Sequence, residues 1–189
     1  MKPLYLVPLA LLLAAGCKKE PADLLPKATQ RGKNTMGCLV DGNAWTPQGS
    51  SGGLVGGGSV EPIVARWTRR RTGGGDLQCF FNRRGSVTDS DISLFLRAND
   101  HAGAVALDQP AASSSGSANP SYGMYIVYSN SPYPRYLTGP DAVGTVTLTR
   151  FDTVACVASG SFSFAARHAA TGQVMQLTEG RFDVRFTKQ

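Results

Sequence analysis

Gly180-Arg181-Phe182-Asp183-Val184-Arg185-Phe186 alternates without a break: Phe182, Val184 and Phe186 fall on one side, and Arg181, Asp183 and Arg185 on the other. A two-residue period is the signature of a strand with one buried and one solvated face. Asp183 lies between two arginines on the polar side, so the expected reading is a same-face ionic ladder rather than a catalytic carboxylate. Working outward from this run, Thr171-Gly172 reads as a turn, and Gly160-Ser161-Phe162-Ser163-Phe164 and Thr145-Val146-Thr147-Leu148-Thr149 repeat the alternation.

Further upstream the same period recurs. Met36 to Val40 runs into Asp41-Gly42, a two-residue hairpin turn, and leaves through Asn43-Ala44-Trp45. Val60 to Arg71 and Leu77 to Arg84 are joined by Gly73-Gly74-Gly75-Asp76, a second hairpin. Ile92, Leu94 and Leu96 mark another strand, and Tyr122 to Ser129 is apolar on both faces. Gln48 to Ser59 and Ala111 to Ser121 are small-residue loops. No segment sustains a 3.6-residue apolar period. The expectation is an all-β domain over residues 36–189, a single antiparallel β-sandwich or barrel-like domain of about 8–10 strands.

The other end of the chain is different. One basic residue, Lys2, precedes an apolar run from Leu4 to Ala15, and Leu13-Ala14-Ala15-Gly16 leads to Cys17. The run is well short of the about 20 residues that a spanning helix needs. It fits a cleaved export signal over 1–16. The Leu13 to Cys17 stretch resembles the lipobox of bacterial lipoproteins, although Ala14 stands where leucine is commonest. That resemblance implies acylation of Cys17 and a membrane anchor. Two or more acyl chains give stable residence on a bilayer. Lys18-Lys19-Glu20 places no aspartate after the cysteine, which under the enterobacterial sorting rule points to the outer membrane. Residues 17–35 hold Pro21 and Pro26 and one apolar pair, Leu24-Leu25, and read as a lipidated, flexible tether. At about 3.3 Å per residue it reaches several tens of ångströms.

Composition narrows the function classes. A formal net charge of +6 is modest, and no basic arm with interleaved aromatics accompanies it, so a nucleic-acid partner is not expected. Gly 22 and 17% charged residues suit a turn-rich β protein. With Cys17 acylated, at most one disulfide forms among Cys38, Cys79 and Cys156, and the pair is not specified; three buried thiols fit equally well. No Cys-x-x-Cys or histidine ligand spacing exists, so neither a metal nor another cofactor is expected.

Three motifs together resemble a group of Gram-negative lipoproteins classed as a domain of unknown function, whose pattern is NTFGCxVNG, then SGTF-F, then TDGRFDV. Here they read Asn34-Thr35-Met36-Gly37-Cys38-Leu39-Val40-Asp41-Gly42-Asn43-Ala44-Trp45, Ser159-Gly160-Ser161-Phe162-Ser163-Phe164 and Thr178-Glu179-Gly180-Arg181-Phe182-Asp183-Val184. Met36, Asp41, Ser161 and Glu179 are the departures. The resemblance implies an all-β lipoprotein domain of the cell envelope and no particular chemistry. Gly160 and Gly180 are expected where a strand begins or bulges beside a core phenylalanine.

Catalysis has little to rest on. His101 and His168 are the two histidines, and neither accompanies a Gly-x-Ser-x-Gly elbow. Asp89 and Asp91 lack the alternating oxygen ligands of a calcium loop and read as a solvated turn. Arg69-Arg70-Arg71 and Arg83-Arg84 fit an anion reader for lipopolysaccharide, phosphate or acidic glycan, but protection of a sheet edge is the preferred account. Five of the six tyrosines fall between Tyr122 and Tyr136. Tyr125 and Tyr128 are expected to pack on a strand. Tyr133 and Tyr136, with Arg135 between them, are the residues expected to contact a ligand. The expectation is a membrane-anchored, non-enzymatic domain that binds or scaffolds at the cell surface or in the periplasm, with a glycan or an envelope protein as the partner. The alternatives are a glycan-binding module built on this cluster and, less favoured, an unrecognised enzyme.

Overall fold

The computed structural model describes residues 20–51, 58–71, 73–85, 88–112, 118–129 and 131–189. The signal segment 1–16 and Cys17 lie outside the described residues, as do the middle parts of the two small-residue loops.

The described residues form an all-β domain built on one sheet. Its strands are β1 (Thr35–Val40), β2 (Asn43–Trp45), β3 (Ile63–Arg69), β4 (Gly75–Arg83), β5 (Ser90–Leu96), β6 (Gly103–Ala106), β7 (Tyr122–Val127), β8 (Arg135–Leu137), β9 (Gly144–Asp152), β10 (Val157–His168), β11 (Val174–Arg185) and β12 (Thr187–Lys188). They run in the order β12-β3-β4-β5-β7-β8-β10-β11-β1-β2, with β9 on β10 and β6 outside β9. The sheet curls into a half-barrel. The architecture is thus barrel-like rather than a sandwich. Twelve strands replace the expected eight to ten, because short pieces such as β6, β8 and β12 carry too few residues for a visible period. The sheet is also not purely antiparallel: β12 runs parallel to β3.

The expected turns form. Asp41 and Gly42 both adopt positive φ, 47° and 77°, and close the β1–β2 hairpin with Val40 opposite Asn43. Thr171-Gly172 sits between β10 and β11. Phe182, Val184 and Phe186 are buried inside the curl with Phe81, Phe162, Leu77 and Ile92. Tyr122, Met124 and Phe95 form a smaller apolar cluster with Ala111 and Leu137. The β2 side is tied back to the far side of the sheet: Trp45 Nε1 donates to Ser90 Oγ at 2.9 Å, and the Gln48 amide donates to the Asn82 carbonyl at 2.9 Å.

The three motifs, far apart in sequence, become neighbouring strands. β11 pairs with β10 on one side and with β1 on the other, which places Asp183 opposite both Ser159 and Thr35. The glycines let these strands and their phenylalanines approach closely. A Cβ at Gly180 would lie 2.5 Å from the Phe162 ring, and one at Gly160, where the β9 register shifts, 2.3 Å from the Thr147 carbonyl.

Two expectations are corrected here. Asp183 is not part of an ionic ladder: it is 1% exposed. Its Oδ1 accepts from the Gly32 amide at 2.7 Å and Ser159 Oγ at 2.7 Å, and its Oδ2 from the Arg31 and Lys33 amides at 3.0 and 3.1 Å and from Thr29 Oγ1. Arg181 pairs instead with Glu179 at 3.8 Å. The second correction follows from the first. The described part of the expected tether is a strap laid against the sheet. A single 3-10 turn, Pro21–Leu24, packs on β1 and β2, and Leu25 is 6% exposed. Gly32 has φ +66° and is wedged so tightly that a Cβ would meet Arg185 Cγ at 2.8 Å and Val157 at 2.9 Å. Arg150 donates to the Gln30 carbonyl, and Asn34 Oδ1 accepts from the Arg185 amide at 2.8 Å. The strap is held because a buried carboxylate needs donors and the strap's amides supply them.

Candidate functional site

The tyrosine-rich segment is the β7–β8 hairpin and its connection. Register pairs Tyr125 with Tyr136 and Ile126 with Arg135. Side-chain alternation then separates the three residues expected to contact ligand. Tyr136 turns into the barrel with Tyr125: the two are 6% and 8% exposed, with ring centroids 6.1 Å apart. Its hydroxyl donates to Gln173 Oε1 at 3.1 Å. Tyr136 is therefore a core residue rather than a ligand contact. Arg135, on the opposite face, is exposed and has no carboxylate partner among the described residues. Tyr133, in the connection, is 47% exposed.

Tyr133 is not loose. Its ring meets Tyr128 edge to face at 4.9 Å. Tyr128 is fixed in turn, with the Arg84 guanidinium 4.7 Å over its ring and its hydroxyl donating to Asp91 Oδ2 at 2.6 Å. Arg84 closes the triangle by a two-pronged ion pair with Asp91. Burial and the bond to Asp91 push the Tyr128 phenol up to about 12. The hydrogen bond that the Arg84 guanidinium donates to Asp91 likewise raises its pKa. Asp91 is thus the brace of an aromatic cluster rather than half of a solvated acidic turn, and Arg84 serves that brace rather than guarding an edge, since β4 has a neighbour on either side.

Pairing of β8 with the end of β10 sets Tyr136 opposite His168 and Leu137 opposite Arg167. This creates a cleft of about 510 Å³ with Tyr133, Arg135 and Leu137 along one wall and His168 and Ala169 along the other. His168 Nδ1 is 2.8 Å from Thr171 Oγ1, and its ring is 5.5 Å from that of Tyr136. Sequence reasoning found Tyr133 and Arg135 but did not join His168 or Leu137 to them. The β8–β10 contact that does so involves only two residue pairs and leaves no local signal.

His101, the other histidine, lies elsewhere on the surface, 2.6 Å from Asp100. Cys38 and Cys79 are unpaired buried thiols, pushed up to about 12 by burial, and Cys156 is a third free thiol, part-exposed. No group of three or more metal-ligating side chains occurs among the described residues. Comparison with known protein families, curated proteins and solved structures found no match to this chain.

Proposed function

We propose that the chain is a lipoprotein anchored through Cys17 to the bacterial cell envelope, and that its half-barrel is a non-enzymatic domain that binds saccharide in the Tyr133–Arg135–His168 cleft. One observation carries the reading. An exposed tyrosine, braced by a Tyr128–Arg84–Asp91 network, stands beside an arginine that has no carboxylate partner among the described residues. A rigid aromatic edge with a polar tip suits a sugar ring, and a free guanidinium suits the carboxylate of an acidic sugar. A cleft that includes Leu137 and Ala169 adds apolar surface for the C–H face of the ring.

The strap changes what anchoring means. Only three residue-to-residue steps separate Cys17 from Glu20, where the described chain begins. At about 3.3 Å each they span on the order of 10 Å, so an acylated Cys17 holds the domain close to the bilayer instead of at the end of a long leash.

Two experiments test the proposal. Metabolic labelling with palmitate should mark the wild-type chain and not Cys17→Ala; labelling of the variant would refute the anchor. A glycan array probed with the detergent-solubilised full chain should give hits enriched in acidic sugars. Those hits should weaken in Tyr133→Ala/Arg135→Ala, while hits that persist undiminished would place the site elsewhere.

A further inference from the structure

The arginine run at the β3–β4 turn is not absorbed by the cleft, and its surroundings differ from those of an edge guard. Arg70 is used internally: its Nη1 lies 3.1 Å from both oxygens of Asp76, whose Oδ1 also accepts the Ala98 amide at 2.9 Å. That pairing pins the turn and leaves its two neighbours free. Arg69 and Arg71 have no carboxylate partner among the described residues, and neither has Lys188 on β12. These three cations border two adjoining hollows that share Arg69 and Gly74. One, of about 380 Å³, is formed by the turn itself. The other, of about 530 Å³, lies where the turn, Thr153 and β12 meet, and Trp67 forms its wall.

Trp67 is a fixed wall. Its Nε1 donates to the Asn99 carbonyl at 3.3 Å, Phe151 lies 6.4 Å away, and a Cβ at Gly75 would collide with its indole. Asp100 is the acidic side chain at the rim, and it is already 2.6 Å from His101. Among the side chains that line the two hollows, cations outnumber acids. Edge protection acts on an unpaired strand, whereas β3 is paired with β4 along its length and with β12 at Arg66 and Trp67. It does not require arginines gathered around an indole-walled hollow.

We propose that this region is a second binding site, for a phosphate ester carried on a sugar ring. The guanidinium forks of Arg69 and Arg71 match the phosphate oxygens, Lys188 adds a point charge, and the ring rests against Trp67. The site lies at the Gly75 end of β4, whereas the tyrosine cleft adjoins its Arg83 end, roughly 25 Å away along the strand. It stands independently of the saccharide reading of that cleft. The same chemistry is offered by a free sugar phosphate and by a phosphorylated lipid headgroup.

The test is calorimetric titration of the detergent-solubilised full chain with glucose 6-phosphate, with glucose, and with dioctanoyl phosphatidylinositol 4-phosphate, all at matched ionic strength. Saturable binding of the phosphate esters and none of glucose is expected. Arg69→Ala/Arg71→Ala should weaken binding about tenfold or more, as loss of charged hydrogen bonds to a ligand does. Arg69→Lys/Arg71→Lys should recover part of it. The charge-matched control Lys27→Ala/Arg66→Ala should bind as wild type. Tighter binding of the lipid would identify a headgroup as the ligand, and equal or weaker binding a free sugar phosphate. Equal weakening in the control, or no saturable binding of either ester, would overturn the proposal. Tyr133→Ala/Arg135→Ala should leave this titration unchanged.

Discussion

Replacing Asp183 with asparagine changes one atom and dismantles the clasp that holds residues 29–33. The carboxylate accepts five hydrogen bonds, two on Oδ1 and three on Oδ2. An amide has one oxygen and an NH₂ group that only donates. Its best placement keeps the oxygen toward Thr29, Arg31 and Lys33 and turns the NH₂ toward Ser159 and Gly32. The Ser159 hydroxyl rotates and accepts. The Gly32 amide cannot, and it is left buried, facing another donor, at a cost of about 1–3 kcal/mol. The remaining bonds lose their ionic character, and charged bonds exceed neutral ones by roughly 1 kcal/mol each. Together these losses amount to about 5–7 kcal/mol, or roughly 15–20 °C in Tm for a domain of this size. Thermal unfolding gives the magnitude, and hydrogen exchange at the Arg31, Gly32 and Lys33 amides gives the location. A variant within about 0.5 kcal/mol of wild type, the scatter of ordinary surface substitutions, with those amides still protected, would refute the reasoning.

The pH dependence has a definite sign. Burial alone would raise the Asp183 carboxyl, but the bonds from Thr29, Ser159, Lys33 and Arg31 more than reverse this and hold it far below the usual carboxylate range. A depressed pKa stabilises the fold above the unfolded value, about 3.9, and that contribution drains away as pH falls toward the native one. Wild type should therefore lose stability below pH about 4, with a slope that Asp183→Asn lacks.

Other outcomes follow from the same contacts. A chain begun at Asn34 should be much less stable than one begun at Glu20, because it loses both the clasp and Leu25, whose burial is worth about 1.5–3 kcal/mol; chemical denaturation of the two measures the difference. Tyr128 should ionise near 12 in an ultraviolet titration. Because its native pKa is raised, the stability it contributes should decline as pH climbs above about 10, and Tyr128→Phe should flatten that decline. In a thiol-reagent assay on Cys17→Ala, Cys156 should react while Cys38 and Cys79 stay silent until the protein is denatured. Fast reaction of all three in the native state would contradict the burial that keeps two of them protonated.

Sequence reading succeeded where the determinant was local. Alternation from Phe182 to Phe186 named the buried face, and Asp41-Gly42 named the hairpin. It failed where a distant segment covers a face. Asp183 does lie on the outer side of β11, as the period requires, but that side is roofed by residues some 150 positions earlier, and alternation carries no information about a roof. The Leu24-Leu25 pair is the one sequence sign of a docked strap, and Leu25 is the half that docks. Tyr136 was misplaced because proximity in sequence to Tyr133 and Arg135 was read as proximity in the site. On β8 the neighbouring residue faces the opposite way. His168 joined the cleft only through the β8–β10 pairing, which topology alone supplies.

The binding cleft is tested most directly by nuclear magnetic resonance of the full chain titrated with the strongest acidic saccharide from the array. Amide shifts should be confined to Tyr133, Arg135, Leu137, His168 and Ala169 and abolished in Tyr133→Ala/Arg135→Ala. Shifts clustered on another face, or unaltered in that variant, would contradict it.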